Sequence, residues 1–109
     1  MSVAGQPYTS GDWLVKEGKE QEFVAAWNAF TSWSIKQESS VATFTLIRKA
    51  DDPRHYVSFA AWKDEAALKS WMSRPDFAQL YAQARDLCDT VVSGVYLLES
   101  VQTRDAVTA

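Results

Sequence analysis

The chain has 109 residues, 47% of them hydrophobic and 23% charged, with a net charge of −3, which predicts one globular domain with a thin core. Its eleven Lys and Arg are scattered, so nucleic acid is not an expected partner, and no apolar run approaches the ~20 residues of a membrane span. His55 and Cys88 stand alone, which leaves no material for a Cys/His metal site or an intramolecular disulfide.

In chain order, Tyr8 to Lys16 reads as a short strand with Trp13 and Val15 on one face and Leu14 on the other. Gly18 breaks it. Phe23, Ala26, Trp27, Phe30 and Trp33 then recur at spacings of three and four, a helical stripe that runs to about Gln37. Val41 to Ala50 is rich in branched and aromatic residues and predicts a second strand. Asp51, Asp52 and Pro53 signal a turn. Arg54 to Lys63 returns, with Tyr56, Ser58, Ala60 and Trp62 on one face and His55, Val57, Phe59 and Ala61 on the other. Asp64 is suited to cap a second helix. That helix ends near Ser73 and Arg74, because Pro75 disfavours helical geometry in the residue before it. Pro75 starts a third helix, striped by Phe77, Leu80, Tyr81, Ala84 and Leu87. Val91 to Val101 is the last predicted strand, with Gly94 as a candidate bulge.

The order βαββαβ, with its second helix broken, predicts an α+β fold: a ferredoxin-like, four-stranded antiparallel sheet with helices on one face. The domain is expected at residues 8–101, between flexible tails at 1–7 and 102–109. The strands are apolar on both parities, so the face without helices needs a cover. The simplest cover is a second copy, giving a homodimer through sheet faces. The segment Met1 to Ser10 lacks the basic and apolar regions of a secretory signal, so a cytoplasmic location is expected.

Several segments resemble antibiotic biosynthesis monooxygenase domains: Trp13-Leu14-Val15-Lys16-Glu17-Gly18-Lys19-Glu20-Gln21-Glu22-Phe23 followed by Trp27, then Phe59-Ala60-Ala61-Trp62, Asp64-Glu65-Ala66-Ala67-Leu68 and Ser73-Arg74-Pro75-Asp76-Phe77. The resemblance spans about residues 8–101. It implies a dimeric α/β barrel with a ligand pocket in each subunit, between helices and sheet. In the family's cofactor-free, quinone-forming branch an Asn stands four residues before a Trp on the third strand. Trp62 holds the Trp position here and Ser58 the Asn position, while an Arg of the third helix falls at Tyr81. In the haem-degrading branch a second-helix Trp matches Trp71. Its Asn falls near Gly11 and its His at Tyr81, which leaves no axial iron ligand.

Five tryptophans in so short a chain either fill the core or wall a pocket for a flat apolar ligand. Ser58, Trp62 and Tyr81 are the candidate catalytic groups, and Trp71, Trp27, Phe23 and Trp13 the candidate substrate contacts. Each also has a plain packing role, and Trp13, Trp27 and Phe23 read as core first. Arg48 faces either the pocket or solvent. No metal and no cofactor is expected. The resemblance implies a monooxygenase that oxidises a small aromatic, polyketide- or quinol-like molecule with O2. The alternative is a non-catalytic small-molecule-binding or accessory dimeric protein of the same fold.

Overall fold

The computed structural model describes residues 4–106. The elements run β1 (Pro7–Val15), α1 (Glu20–Gln37), β2 (Phe44–Arg48), β3 (His55–Ala61), α2 (Glu65–Met72), α3 (Pro75–Arg85) and β4 (Cys88–Leu97), followed by a 3-10 turn at Arg104–Ala106. The strands form one four-stranded sheet in the order β2-β3-β1-β4, antiparallel throughout. This is the expected ferredoxin-like arrangement.

Local chemistry accounts for the boundaries. Gly18, at φ +84°, takes the left-handed conformation that turns β1 into α1 at no steric cost. The buried stripe of α1 is Phe23, Trp27, Phe30, Thr31 and Ser34. Its two hydroxyls donate back to the helix, Thr31 to the Trp27 carbonyl and Ser34 to the Phe30 carbonyl, so polar residues sit in a core stripe without unmet bonds. Asp64 accepts from the Ala67 N–H at 2.8 Å and caps α2. Pro75 opens α3 at its first turn, where a missing N–H costs nothing.

Two strands depart from expectation. β2 covers only Phe44–Arg48, because Val41 is buried in a loop rather than paired. β4 is displaced toward the N-terminus: it pairs with β1 from Cys88 opposite Val15 to Leu97 opposite Pro7, and the ladder stops where β1 stops. Gly94 is not a bulge, since it pairs in register with Ser10. The irregularity lies where Leu14 opposes Thr90 and Val15 opposes Cys88. Asp89 is therefore the extra residue, and its carboxylate is bound by Arg54.

Of the expected tails, residues 1–3 and 107–109 lie outside the described residues. Gly5 and Gln6 are tied by backbone hydrogen bonds to Leu98.

The helices cover one face of the sheet, and the core divides in two. One cluster holds Trp13, Val15, Phe23, Trp27, Tyr56, Ala84 and Cys88. The other holds Phe30, Val41, Ala60, Trp62, Leu68 and Trp71. Phe44 and Tyr81 pack against both. Among the described residues, no helix is long and apolar enough to cross a membrane.

Candidate functional site

A cavity of about 360 Å³ lies between sheet and helices, where the two clusters meet. Its size suits a small flat ligand. Gly11 is the partner of Ser58 in the β1–β3 ladder and of Ser93 in the β1–β4 ladder. These three residues form one row across the sheet and all line the cavity. Gly11 has no room for a side chain: a Cβ there would stand 2.6 Å from Trp13 Nε1 and 2.9 Å from Ser58 Oγ.

The remaining walls are aromatic. Trp27, Phe30, Trp71 and Phe77 line the cavity, and Phe30 packs against Trp71 and Phe77 at centroid distances of 5.6 Å each. Tyr81 stacks on Phe77 at 5.8 Å, with ring planes 6° apart. Met72 and Val95, both partly exposed, mark the mouth between the α2–α3 corner and β4.

The buried indoles use their N–H groups on hydroxyls. Trp13 donates to Ser58 Oγ at 2.9 Å, Trp62 to Thr9 Oγ1 at 3.0 Å and Trp71 to Ser34 Oγ at 2.8 Å. Burial of each indole is thereby satisfied. It also fixes hydroxyl polarity: an oxygen that accepts from an indole keeps its own proton to donate. Ser34 gives that proton to the Phe30 carbonyl. Ser58 and Thr9 line the cavity. On the far side, the Tyr81 and Ser93 hydroxyls lie 2.6 Å apart, and the Arg85 guanidinium sits 5.9 Å from the Tyr81 ring centre.

The residues singled out from the sequence fall in different places. Ser58, Tyr81, Trp71, Trp27 and Trp13 line the cavity. Trp62 and Phe23 do not. Both are fully buried; Trp62 is covered by Trp71 at 4.6 Å, and Phe23 packs between Trp13 and Tyr56. Their contribution is to hold the lining in place. Arg48 is exposed and borders a separate polar groove with Glu20, Glu22 and Tyr56. His55 lies on the helix-free face, its Nε2 2.7 Å from Asp12. Cys88 is buried, and burial together with the Asp89 carboxylate pushes its thiol up to about 11, which makes it a poor nucleophile at neutral pH. Among the described residues no group of three His, Cys, Asp or Glu side chains is placed to hold a metal.

Phe30, which reads from the sequence as a core stripe residue first and a ligand contact second, also lines the cavity, as do Phe44, Phe77 and Ser93, to which the sequence assigns no site role. The phenylalanines were legible as apolar stripe residues, which does not distinguish wall from core. Ser93 carried no signal, because its place depends on the register between β1 and β4.

Among the described residues, the lining contains no carboxylate, imidazole, amine or guanidinium. Its polar groups are hydroxyls. Such a site can orient a flat molecule, exclude water and donate hydrogen bonds to an oxygen that gains negative charge.

Comparison with known proteins agrees with this architecture. The chain is similar to a mutant form of SnoaB, a cofactor-independent oxygenase from Streptomyces nogalater, with 24% identity over 93% of this chain and 98% of that one and a TM-score of 0.80. A second SnoaB structure gives 22% identity, coverage of 91% and 97%, and a TM-score of 0.74. A conserved protein from Methanosarcina mazei Go1 gives 18% identity, coverage of 84% and 92%, and a TM-score of 0.74. At these identities the likeness establishes the fold. No curated protein matches the chain. The sequence pattern of the antibiotic biosynthesis monooxygenase family matches residues 12–83, most of β1 through α3, and the chain belongs to that family.

Proposed function

We propose that the protein is a cofactor-independent monooxygenase that oxidises a small aromatic, polyketide- or quinol-like substrate with O2. The observation that carries this reading is a cavity with aromatic walls whose polar groups are hydroxyls. Such a cavity suits a substrate that serves as its own reductant. The bound aromatic releases a proton to water, and its anion passes an electron to O2. Recombination gives a peroxide, and loss of water from it leaves a new carbonyl. Substrate CH2 and O2 thus become C=O and H2O. In this reading Ser58 and Tyr81 steady the oxygen that carries the negative charge, Trp13, Trp27 and Trp71 orient the ring, and Trp62 and Phe23 act from behind.

Oxygen uptake with a panel of anthrones and hydroquinones tests it. Wild type is expected to consume O2 above the buffer rate, and Ser58→Ala and Tyr81→Phe to lose at least about tenfold of that excess, the scale of one lost donor to a developing anion. If the panel binds but uptake never exceeds buffer, the alternative of a non-catalytic small-molecule-binding protein replaces it. The absence of an ionisable base from the lining favours that second reading.

The same proposal includes a homodimer closed through the helix-free sheet face. Ile47, Phe59, Val92 and Tyr96 are exposed there, an apolar surface of the kind that marks an interface. A single free cysteine, Cys88, supports a reducing, cytoplasmic setting.

A further inference from the structure

Trp62 lies behind the cavity, yet its indole N–H is tied to the lining. It donates to Thr9 Oγ1 at 3.0 Å, and Thr9 lines the cavity. An oxygen that accepts from an indole keeps its own proton to donate. Where that proton goes depends on the element. Ser34 likewise accepts from an indole, that of Trp71, but it sits on a helix and gives its proton to the Phe30 carbonyl one turn back. Thr9 sits on β1, an inner strand between β3 and β4, and the carbonyls of an inner strand serve the ladders on either side. Among the described residues, no acceptor takes the Thr9 proton. Across the sheet Thr9 is flanked by Ala60 on β3 and Val95 on β4, so it is the polar member of an otherwise apolar row, and Val95 stands at the mouth.

We propose that Thr9 is a specificity-determining residue of this cavity: its hydroxyl, aimed by the Trp62 indole, donates to an acceptor oxygen on the edge of the ligand that lies beneath the mouth. The proposal rests on the reading that the cavity holds a small aromatic molecule, and it adds a donor which that reading does not use. Trp62 then acts on the ligand through Thr9 and is a positioning residue. Two effects favour this arrangement. A hydroxyl already fixed by an incoming hydrogen bond loses little further freedom when it donates, and hydrogen bonds in a chain strengthen one another. The neighbours Ala60 and Val95 carry no donor, so an oxygen placed over this row is met by Thr9 or left unmet, and a buried acceptor left unmet is costly. Ser58, the other indole-backed hydroxyl, stands opposite Gly11 in the next row, so the two hydroxyls can be told apart by substitution.

Calorimetric titration with indane and 1-indanone tests the residue without turnover, since both are uncharged and nearly flat and differ by one carbonyl oxygen. In wild type the ketone is expected to bind about fivefold more tightly, the range of one neutral hydrogen bond. Thr9→Val keeps the shape of the side chain and is expected to bring the two affinities together, whereas Thr9→Ser keeps the hydroxyl and the difference. Trp62→Phe is expected to shrink the difference where Thr9 is present and to change nothing further in Thr9→Val. A loss of packing alone would weaken both compounds alike and leave their ratio at the wild-type value. Thr9→Val strands the Trp62 N–H, so its melting temperature is measured alongside. The double variant Thr9→Val with Trp62→Phe strands nothing and carries the test if the single variant fails to fold. The proposal is overturned if the ketone keeps its advantage in Thr9→Val, if Ser58→Ala rather than Thr9→Val removes it, if Trp62→Phe leaves the ratio untouched, if wild type binds the two alike, or if neither binds. Equal binding leaves the oxygenase reading standing on its own uptake assay. A ratio that depends on Thr9 without oxygen uptake sinks the oxygenase reading and leaves the Thr9 site.

Discussion

Gly11 is constrained by what sits above it. The Trp13–Ser58 hydrogen bond crosses the space where its Cβ would be, at 2.6 Å from Nε1 and 2.9 Å from Oγ. Gly11→Ala must therefore break that bond or shift the indole, leaving a buried N–H unmet. The expected cost is about 1–3 kcal/mol, read from the urea midpoint, with a change in tryptophan fluorescence from the altered Trp13 environment. A second residue ties stability to pH. Cys88 titrates at about 11 in the folded chain against an ordinary 9.0, raised first by burial and then by Asp89, with Lys16 partly offsetting. The unfolded chain loses this proton at lower pH than the folded one. Its effect is absent below about pH 9, and stability falls as pH rises from there through about 11. Denaturation curves between pH 8 and 11 are expected to converge on a flatter profile in Cys88→Ala. An identical decline in that variant would assign the loss to other groups.

At the scale of elements, the α2–α3 corner is held to the end of α1 by a buried carboxylate. Glu38 accepts from Arg74 Nε at 2.6 Å and from Ser70 at 3.3 Å, and Arg74 also donates to the Gln37 carbonyl at 2.9 Å. Trp71 and Phe77, on either side of that corner, are cavity walls. Arg74→Ala strands Glu38 and is expected to cost about 1–3 kcal/mol, less than a fully buried pair because Arg74 is partly exposed. Adding Glu38→Gln is expected to recover part of it in the same urea titration; no recovery would mean that the charge is not what is left unmet. The elements themselves were legible in the sequence. Alternation sorted the faces of β3, the three-and-four spacing gave α1, and Pro75 divided the second helix. The site was legible only where local pattern sufficed. Ser58 and Tyr81 lie on faces that periodicity assigns. The place of Trp62 behind the lining is not legible locally, because nothing near it in sequence reveals that its N–H reaches Thr9, 53 residues away, or that Trp71 covers its ring. Ser93 and the limits of β4 follow from pairing with β1, a long-range register that one sequence does not encode visibly.

The whole molecule is a slab. Its extents are 47 × 36 × 20 Å and its radius of gyration is 15.0 Å, against about 13 Å for a compact domain of this length. Helices cover one side of the sheet, and the other presents Ile47, Phe59, Val92 and Tyr96 to water. A second copy set against this face would thicken the slab and bury those side chains, as the proposed homodimer requires. Val92→Lys separates the interface from the fold. Val92 is 68% exposed and stands opposite Asp12 in the ladder, so a lysine there meets a carboxylate in the free protomer and leaves its stability nearly unchanged. At a closed sheet-to-sheet interface the same ammonium would be stripped of water, at about 3 kcal/mol or more. Sedimentation at micromolar concentration is expected to give a wild-type dimer and a Val92→Lys monomer with an unchanged circular dichroism spectrum. A wild-type monomer at that concentration contradicts the dimer outright. A variant that stays dimeric places the interface on another face.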